Sequence, residues 1–68
     1  MKLYVLSLYH IVYDSEYIVG IFDSLEKAKN IFQDTEWIQR DNGWYSPINI
    51  NDEVFYIKEY SLNERIHR

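Results

Sequence analysis

The segment KLYVLSLYHIVYD, residues 2–14, has apolar side chains at both its odd and its even positions. Successive side chains of a strand point to opposite faces of a sheet, so a strand with one solvated face alternates apolar and polar residues. In this segment Leu3 and Val5 occupy odd positions, while Tyr4 and Leu6 occupy even ones. The segment therefore predicts a central or near-central strand with both faces covered, and the question is what covers the second face.

The size of the chain restricts how it can be stabilised. It has 68 residues and is expected to form one domain over residues 1–68, near the lower limit at which a single hydrophobic core holds a fold. It has no cysteine, so disulfides and thiolate metal sites are excluded. Seven tyrosines, three phenylalanines and two tryptophans remain to build the core and any interface, since such side chains dominate the energetics of both.

Hydrophobic periodicity predicts three strands and one helix. The first strand leads through a short acidic turn into YIVGIF, which is rich in β-branched and aromatic residues and should form an antiparallel hairpin with it. The period then changes in DSLEKAKNIFQD, where Asp23 or Ser24 can cap a helix that places Leu25, Ala28 and Ile31 on one side. The predicted elements are strands at about residues 3–12, 17–22 and 53–62 and a helix at 24–34, with a fraying tail at 63–68.

The segment between the helix and the last strand, residues 36–50, admits two interpretations. Asn42-Gly43 is typical of a tight turn because both residues tolerate positive φ, so WIQR and WYSPI would form a second hairpin. Pro47 would end the return strand or confine it to a sheet edge. The other interpretation is an ordered aromatic loop that packs on the rim of the sheet.

These elements predict an α+β fold in the order ββα, a hairpin or loop, then β. The sheet would be small and antiparallel, with about three to five strands and one helix of about ten residues packed on one face. The other face would then expose an apolar patch large enough to indicate a binding partner. The candidate interface residues are aromatic or aliphatic side chains of the strands and the middle segment: Tyr4, Leu6, Leu8, Tyr9, Tyr13, Tyr17, Trp44, Tyr45, Tyr56 and Tyr60.

The phrase V-G-x-F-x-S at residues 19–24, followed by E-K-A, and the closing strand FYIKEYSLNE resemble a family of small bacterial and phage proteins of unknown function. The resemblance covers about residues 2–33 and 54–64. Its motif residues serve a turn, a cap and helix packing, and they are Gly20, Phe22, Ser24 and Ala28. The resemblance therefore brings no catalytic residues. It implies a phage or mobile-element setting, in which short acidic proteins often bind and block a host protein.

The net charge of −4, with a pI near 4.9, argues against binding to nucleic acid, because counterion release from phosphates requires a basic surface. No segment approaches the roughly 20 apolar residues of a membrane span, and the apolar N-terminal run lacks the small-residue cleavage site of a signal peptide. We therefore expect a cytoplasmic protein, in the host cytoplasm if it is phage-encoded, with neither nucleic acid nor a membrane as its partner.

No residue pattern in the chain indicates catalysis or metal binding. His10 and His67 are far apart and lack a ligand set around them, and the acidic pairs occur in predicted turns, where carboxylates are solvated. The sequence contains neither a glycine-rich phosphate loop nor a nucleophile elbow. The chain is therefore predicted not to be an enzyme and to need no cofactor or metal.

Two functions are compatible with this pattern. The first is a non-enzymatic interaction protein, a homodimer that binds and inhibits a host protein of an anti-phage defence system. The alternative is a small-molecule or nucleotide-binding sponge, in which aromatic side chains at a dimer seam sandwich a ring. Its candidate ligand-binding residues are Arg40, Asn42, Trp44 and Lys58.

Overall fold

The computed structural model describes residues 1–41 and 43–61, which contain a five-stranded antiparallel sheet and a short helical connection. The elements follow one another as β1 (Lys2–His10), β2 (Ser15–Phe22), α1 (Leu25–Lys29), a 3-10 helix (Asn30–Phe32), β3 (Ile38–Arg40), β4 (Gly43–Tyr45) and β5 (Glu53–Ser61). In space the strands lie in the order β2-β1-β5-β4-β3. The predicted fraying of residues 63–68 falls outside the described residues.

Strand β1 occupies an interior position between β2 and β5, as its two-sided apolar character predicts. The register places Leu6 opposite Gly20 on one side and opposite Ile57 on the other. Because cross-strand partners share a face, Leu6 and its even-numbered neighbours lie on one face of the sheet and the odd-numbered residues on the other. The strand ends at His10, earlier than the predicted Val12, and the residues that follow form the turn to β2.

The core lies on the face of the sheet that carries Leu6. Leu6, Ala28 and Ile57 are fully buried there, and Trp44 is nearly so. Six partly buried side chains pack against this cluster: Tyr4, Phe22, Leu25, Phe32, Trp37 and Phe55. Ala28 has a side chain small enough to let α1 approach the strands closely. We refer to this side of the sheet as the core face.

Helix α1 begins where the sequence predicts a cap. Ser24 has an extended backbone, and its hydroxyl accepts a hydrogen bond from the backbone N–H of Lys27 at 3.2 Å. The Lys27 ammonium also donates to the exposed Asp23 carboxylate at 2.9 Å, which lowers the pKa of that carboxyl. Exposed ion pairs of this kind add little stability, so the burial of Ala28 contributes more to holding the helix on the sheet.

The predicted α+β arrangement is wrong. Strands hold 53% of the described residues and helices 13%, because α1 has five residues and the 3-10 helix has three. The apolar spacing that predicts a longer helix continues through Ile31, but the chain tightens into the 3-10 helix at Asn30. Ile31 is exposed, while Trp37 and Trp44 of the following segment pack into the core cluster in its stead. The fold is therefore mostly a β-sheet with one short helix, and not a sheet with a helical layer across one face.

The middle segment contains the second hairpin and not the aromatic loop. Strand β3 pairs with β4, and β4 pairs with β5, which brings Trp37 and Trp44 to the same core cluster. Gly43 does not adopt a positive φ, and among the described residues of this turn Asp41 is left-handed, with a φ of 48°. A glycine is needed at position 43 for a different reason, because a Cβ atom there would lie 2.9 Å from the carbonyl oxygen of Ile57.

Two polar side chains order the connection from β4 to β5. The backbone N–H of Ser46 donates to the carbonyl oxygen of Phe55 at 2.8 Å, and the N–H of Phe55 donates to Oγ of Ser46 at 2.8 Å. Oδ1 of Asn49 accepts hydrogen bonds from the backbone N–H groups of Asn51, at 2.8 Å, and Glu53, at 3.0 Å. These bonds satisfy backbone donors at the start of β5 and so define where that central strand begins.

Candidate functional site

The side chains of the sheet that point away from the core form the candidate site. Cross-strand partners share a face, so the strand register identifies them. We refer to this surface as the open face, and its side chains are Leu3, Val5, Ser7, Tyr9, Glu16, Ile18, Ile21, Ile38, Arg40, Tyr45, Val54, Tyr56, Lys58 and Tyr60. Ten of these side chains are apolar or aromatic, so the open face is an apolar surface with few charges.

Strand β2 contributes two isoleucines to the open face because of a β-bulge. Ile18 pairs with Ser7 of β1, and Gly20 pairs with Leu6, the residue before Ser7. Val19 is therefore the extra residue at the register shift. The bulge shifts the alternation by one position, and Ile21 joins Ile18 on the open face although three positions separate them. Ile18 is 67% exposed and Ile21 is 60% exposed, so both present apolar area to solvent.

A row of side chains crosses the open face from one edge of the sheet to the other. In strand order its members are Ile18, Ser7, Tyr56, Tyr45 and Ile38. The rings of Tyr45 and Tyr56 are stacked, with centroids 5.8 Å apart and planes inclined by 21°. Four inter-strand spacings of about 4.8 Å make the row about 19 Å long, which suits contact with a protein surface.

Tyr56 is held in place by two polar neighbours. Its hydroxyl donates a hydrogen bond to the carboxylate of Glu16, which reaches over β1 from the edge strand. Partial burial and this hydrogen bond raise the pKa of Tyr56 to about 12, while a hydrogen bond with the buried Ser7 acts in the opposite direction. The phenol is therefore a neutral donor at physiological pH, and the position of its ring is restrained before any partner binds.

A shallow depression of about 150 Å³ surrounds this hydrogen bond. All of its lining residues belong to the open face, and they are Val5, Ser7, Glu16, Ile18, Tyr56, Lys58 and Tyr60. The depression combines apolar walls with one ammonium group and one carboxylate that already accepts a hydrogen bond. It can therefore accept a projecting side chain of a partner as part of a wider contact.

Four of the predicted interface residues lie on the open face: Tyr9, Tyr45, Tyr56 and Tyr60. The hydroxyl of Tyr9 donates to Oδ1 of Asp14 at 2.6 Å, and this hydrogen bond raises the pKa of Tyr9. Asp14 lies in the turn to β2 with a φ of 52°, a left-handed conformation that aspartate tolerates. Tyr13 is exposed in the same turn, with its ring centroid 4.5 Å from that of His10.

The other predicted interface residues of β1 and β4 belong to the core face. Leu6 is fully buried, and Tyr4 packs against the buried Trp44 with ring centroids 6.1 Å apart. Leu8 pairs with Tyr17 in the core-face register. The structure therefore places Tyr4, Leu6, Leu8 and Trp44 on the core face and not on the open face. The odd and the even positions of β1 are both apolar, so the local pattern does not say which face of the strand the core covers.

The candidate interface residues chosen from the sequence do not include three isoleucines of the open face: Ile18, Ile21 and Ile38. Ile38 lies opposite Tyr45 in the hairpin that Asn42-Gly43 predicts, so the hairpin register is a signal that could identify it. Ile18 follows from alternation along β2 once its partner Ser7 is known. Ile21 has no such signal in the sequence, because the bulge interrupts the alternation before it.

Of the four residues predicted for a small ligand, the three that the structure describes do not converge. Arg40 and Lys58 lie in one row of the open face, separated by Gly43, which has no side chain. Trp44 is buried on the core face. Asn42 is outside the described residues. A ligand on the open face would therefore meet the two cations without the indole ring.

A groove of about 390 Å³ near the β4–β5 connection contains the acidic side chains Asp34 and Glu36. A metal site needs several suitably placed ligands, and residues 1–41 and 43–61 contain no group of three His, Cys, Asp or Glu side chains that could hold an ion. Within the same part of the chain, no helix is long and apolar enough to cross a membrane.

The fold and the open face together define a class: a small antiparallel β-sheet domain with one packed face and one open apolar face. The chain belongs to the family described as Domain of unknown function (DUF7336), whose model matches residues 1–66. This agrees with the expected membership in a family of unknown function, while the V-G-x-F-x-S phrase as a family signature stays a prediction. No curated protein and no solved structure matches the chain.

Proposed function

We propose that this chain is a non-enzymatic protein-interaction module that acts as a homodimer and binds another protein with its open face. The observation on which the proposal rests is the row that contains Ile18, Tyr56, Tyr45 and Ile38 and reaches across all five strands. A continuous apolar surface of this kind, bordered by a few charges, is typical of a site where proteins bind each other.

The small core on the opposite face favours association through the open face. Among the hydrophobic side chains of the described residues, Leu6, Ala28 and Ile57 are fully buried, and Trp44 is nearly so. A domain of about this size buries only about 60% of the surface that its unfolded chain exposes, so its stability is marginal. Covering the open face would remove further apolar area from water at about 25 cal/mol per Å². A partner on this face would therefore stabilise the folded chain.

The side chains of the open face have the properties of interface anchors. Tyr45 and Tyr56 are large and amphipathic, and their stacked rings support each other. Glu16 restrains the Tyr56 hydroxyl, so little side-chain entropy is left to lose on binding. Arg40 and Lys58 lie in the next row, where they can pair with carboxylates at the edge of a bound partner.

The resemblance to phage and mobile-element proteins supports a host protein as the partner and inhibition of that protein as the result. The acidic net charge of −4 is compatible with this role, because it disfavours binding to nucleic acid. The choice of a host partner depends on the resemblance, whereas the choice of the open face depends on the strand register. The two parts of the proposal can therefore be tested separately.

Affinity capture from a host lysate tests the proposal when it is made specific to the open face. Tyr45→Ala removes half of the stacked pair, and Tyr13→Ala removes an exposed tyrosine of the β1–β2 turn as the matched control. We expect a protein that the wild type and Tyr13→Ala retain and that Tyr45→Ala loses, with all three folded by circular dichroism. If Tyr45→Ala retains every captured protein, binding at the open face is contradicted.

A further inference from the structure

Strand β2 forms one edge of the sheet, and it is both long and apolar. Its eight residues, Ser15–Phe22, pair with β1 on one side, and no described strand pairs with the other side. Four of its large hydrophobic side chains are exposed: Tyr17, Ile18, Val19 and Ile21. Tyr17 belongs to the core-face register and Ile18 to the open face, so a partner on the open face alone would leave part of this apolar strand in water.

Strand β2 lacks most of the features that protect sheet edges from pairing. Protected edge strands are short, or they carry lysine, proline or inward-pointing charges. Strand β2 contains no lysine and no proline, and its one charged residue, Glu16, accepts a hydrogen bond from Tyr56. The bulge at Val19 is its one protective feature, and it interrupts the ladder at a single position with apolar residues on both sides.

The opposite edge of the sheet is much shorter. Strand β3 has three residues and ends in Arg40. A contact between β2 of one copy and β3 of the next would produce an open-ended chain of copies, yet it would pair only those three residues. A contact between β2 and β2 uses the longer edge in both copies and closes after two of them. The difference between the two edges therefore favours a closed dimer.

We propose that two copies of this chain pair antiparallel through β2 and join their five-stranded sheets into one continuous sheet. The inference rests on the homodimer of the proposed function and identifies the contact that forms it. Antiparallel pairing of two identical edges places the two-fold axis normal to the sheet, which keeps the open faces of both copies on the same side. The dimer therefore leaves the open face free and doubles the area that a partner can contact.

The charges of β2 do not oppose this pairing. When Ser15 of one copy lies opposite Phe22 of the other, the two Glu16 side chains are five positions apart along the contact. At about 3.4 Å per residue their separation is roughly 17 Å, about twice the Debye length at physiological ionic strength. Repulsion between them is therefore screened, and the middle of the contact is apolar.

Solution mass, measured by light scattering and sedimentation, tests the proposal with two matched lysine variants. Val19 on β2 and Ile38 on β3 are β-branched edge residues that are 42% and 43% exposed. We expect a wild-type dimer whose dissociation constant rises roughly a hundredfold in Val19→Lys, because symmetry repeats the substitution, and stays unchanged in Ile38→Lys. A monomeric wild type, a dimer that a folded Val19→Lys does not weaken, or a dimer that Ile38→Lys weakens as much as Val19→Lys overturns the proposal.

Amide hydrogen exchange of the wild type addresses the same contact without a variant. In a monomer, the β2 amides bonded to β1 are protected and those that point away from β1 exchange rapidly. Pairing through β2 predicts protection of both sets, with the outward set losing protection when the sample is diluted below the dissociation constant. A dimer whose outward β2 amides exchange rapidly overturns the proposal. That result would leave binding at the open face intact, since Tyr45→Ala tests it independently.

Discussion

The hydroxyl of Tyr56 on the central strand β5 donates a hydrogen bond to the carboxylate of Glu16 on the edge strand β2, across the intervening strand β1. The two residues are 40 positions apart in the chain, so the bond exists only in the assembled sheet. It connects the two surfaces to which we assign binding, because Tyr56 belongs to the row that crosses the open face and Glu16 belongs to the β2 edge.

The raised pKa of Tyr56 predicts a loss of stability at high pH. Its pKa is about 12 in the folded protein against an ordinary value of 10.0, so its contribution is fully present below pH 10.0 and is lost as the pH rises towards 12. Urea unfolding across this range should show the fall in the wild type and a smaller fall in Tyr56→Phe. Tyr17→Phe is the control and should keep the wild-type fall. The same pH dependence in all three proteins would contradict the role of the Tyr56 hydrogen bond.

Because the core is small, we expect the deletion of a single methylene group at a buried position to lower the free energy of unfolding. Ile57 is fully buried on β5, so Ile57→Val should lower the free energy of unfolding by about 1 kcal/mol. Ile48 is exposed in the β4–β5 connection, and Ile48→Val should change it by less than about 0.5 kcal/mol. Chemical denaturation of both variants measures the difference. Equal effects would mean that Ile57 is not part of a closely packed core.

The close approach of β4 and β5 at Gly43 predicts that one added methyl group there lowers the stability of the fold. In Gly43→Ala the new Cβ atom would lie 2.9 Å from the backbone carbonyl oxygen of Ile57, which cannot move without disturbing the β4–β5 ladder. We expect a loss of about 1 to 3 kcal/mol in the free energy of unfolding.

Gly20→Ala provides the comparison for this substitution. Its Cβ atom would meet the ring of Phe22 at 2.9 Å, and a ring at the end of a side chain can shift more easily than backbone. Urea unfolding should therefore show a smaller loss for Gly20→Ala than for Gly43→Ala. The reverse order would show that packing of Phe22 over Gly20 restrains the fold more than the clearance between β4 and β5.

The β4–β5 connection predicts a specific role for one asparagine. Asn49→Ala removes the acceptor for the backbone N–H groups of Asn51 and Glu53, and we expect a loss of about 1 to 2 kcal/mol in the free energy of unfolding. Asn51→Ala removes a neighbouring exposed amide side chain and should have little effect. Thermal unfolding compares the two, and a larger effect of Asn51→Ala would refute the role of Asn49.

Local sequence patterns predict several parts of this structure correctly. The two-sided segment KLYVLSLYH is the interior strand β1, and Ser24 caps α1. Asn42-Gly43 left a hairpin and a loop open, and Gly43 begins the return strand β4 of a hairpin. Each of these features depends on interactions between residues that are close in the chain, such as alternation along a strand or a hydroxyl within reach of the first helical turn.

The length of the helix and the members of the open face are harder to predict. The spacing of Leu25, Ala28 and Ile31 fits a helix of three turns, but the helix ends earlier and the two tryptophans of the next segment enter the core. Their entry depends on the β3–β4 hairpin and its pairing with β5, which are not visible in the helical segment. The helix therefore ends before its apolar periodicity does, and side chains from the next segment complete the core.

From the sequence alone it follows that β1 has two apolar faces and that no familiar catalytic motif is present, and we expect one of the two faces to bind a partner. Which face that is depends on the fold. Even and odd positions of β1 are similarly apolar, so the preference arises from distant contacts that place Ala28 and Trp44 against Leu6. The bulge at Val19 then brings Ile21 to the open face. Register and bulges are properties of paired strands, and a single strand's pattern does not contain them.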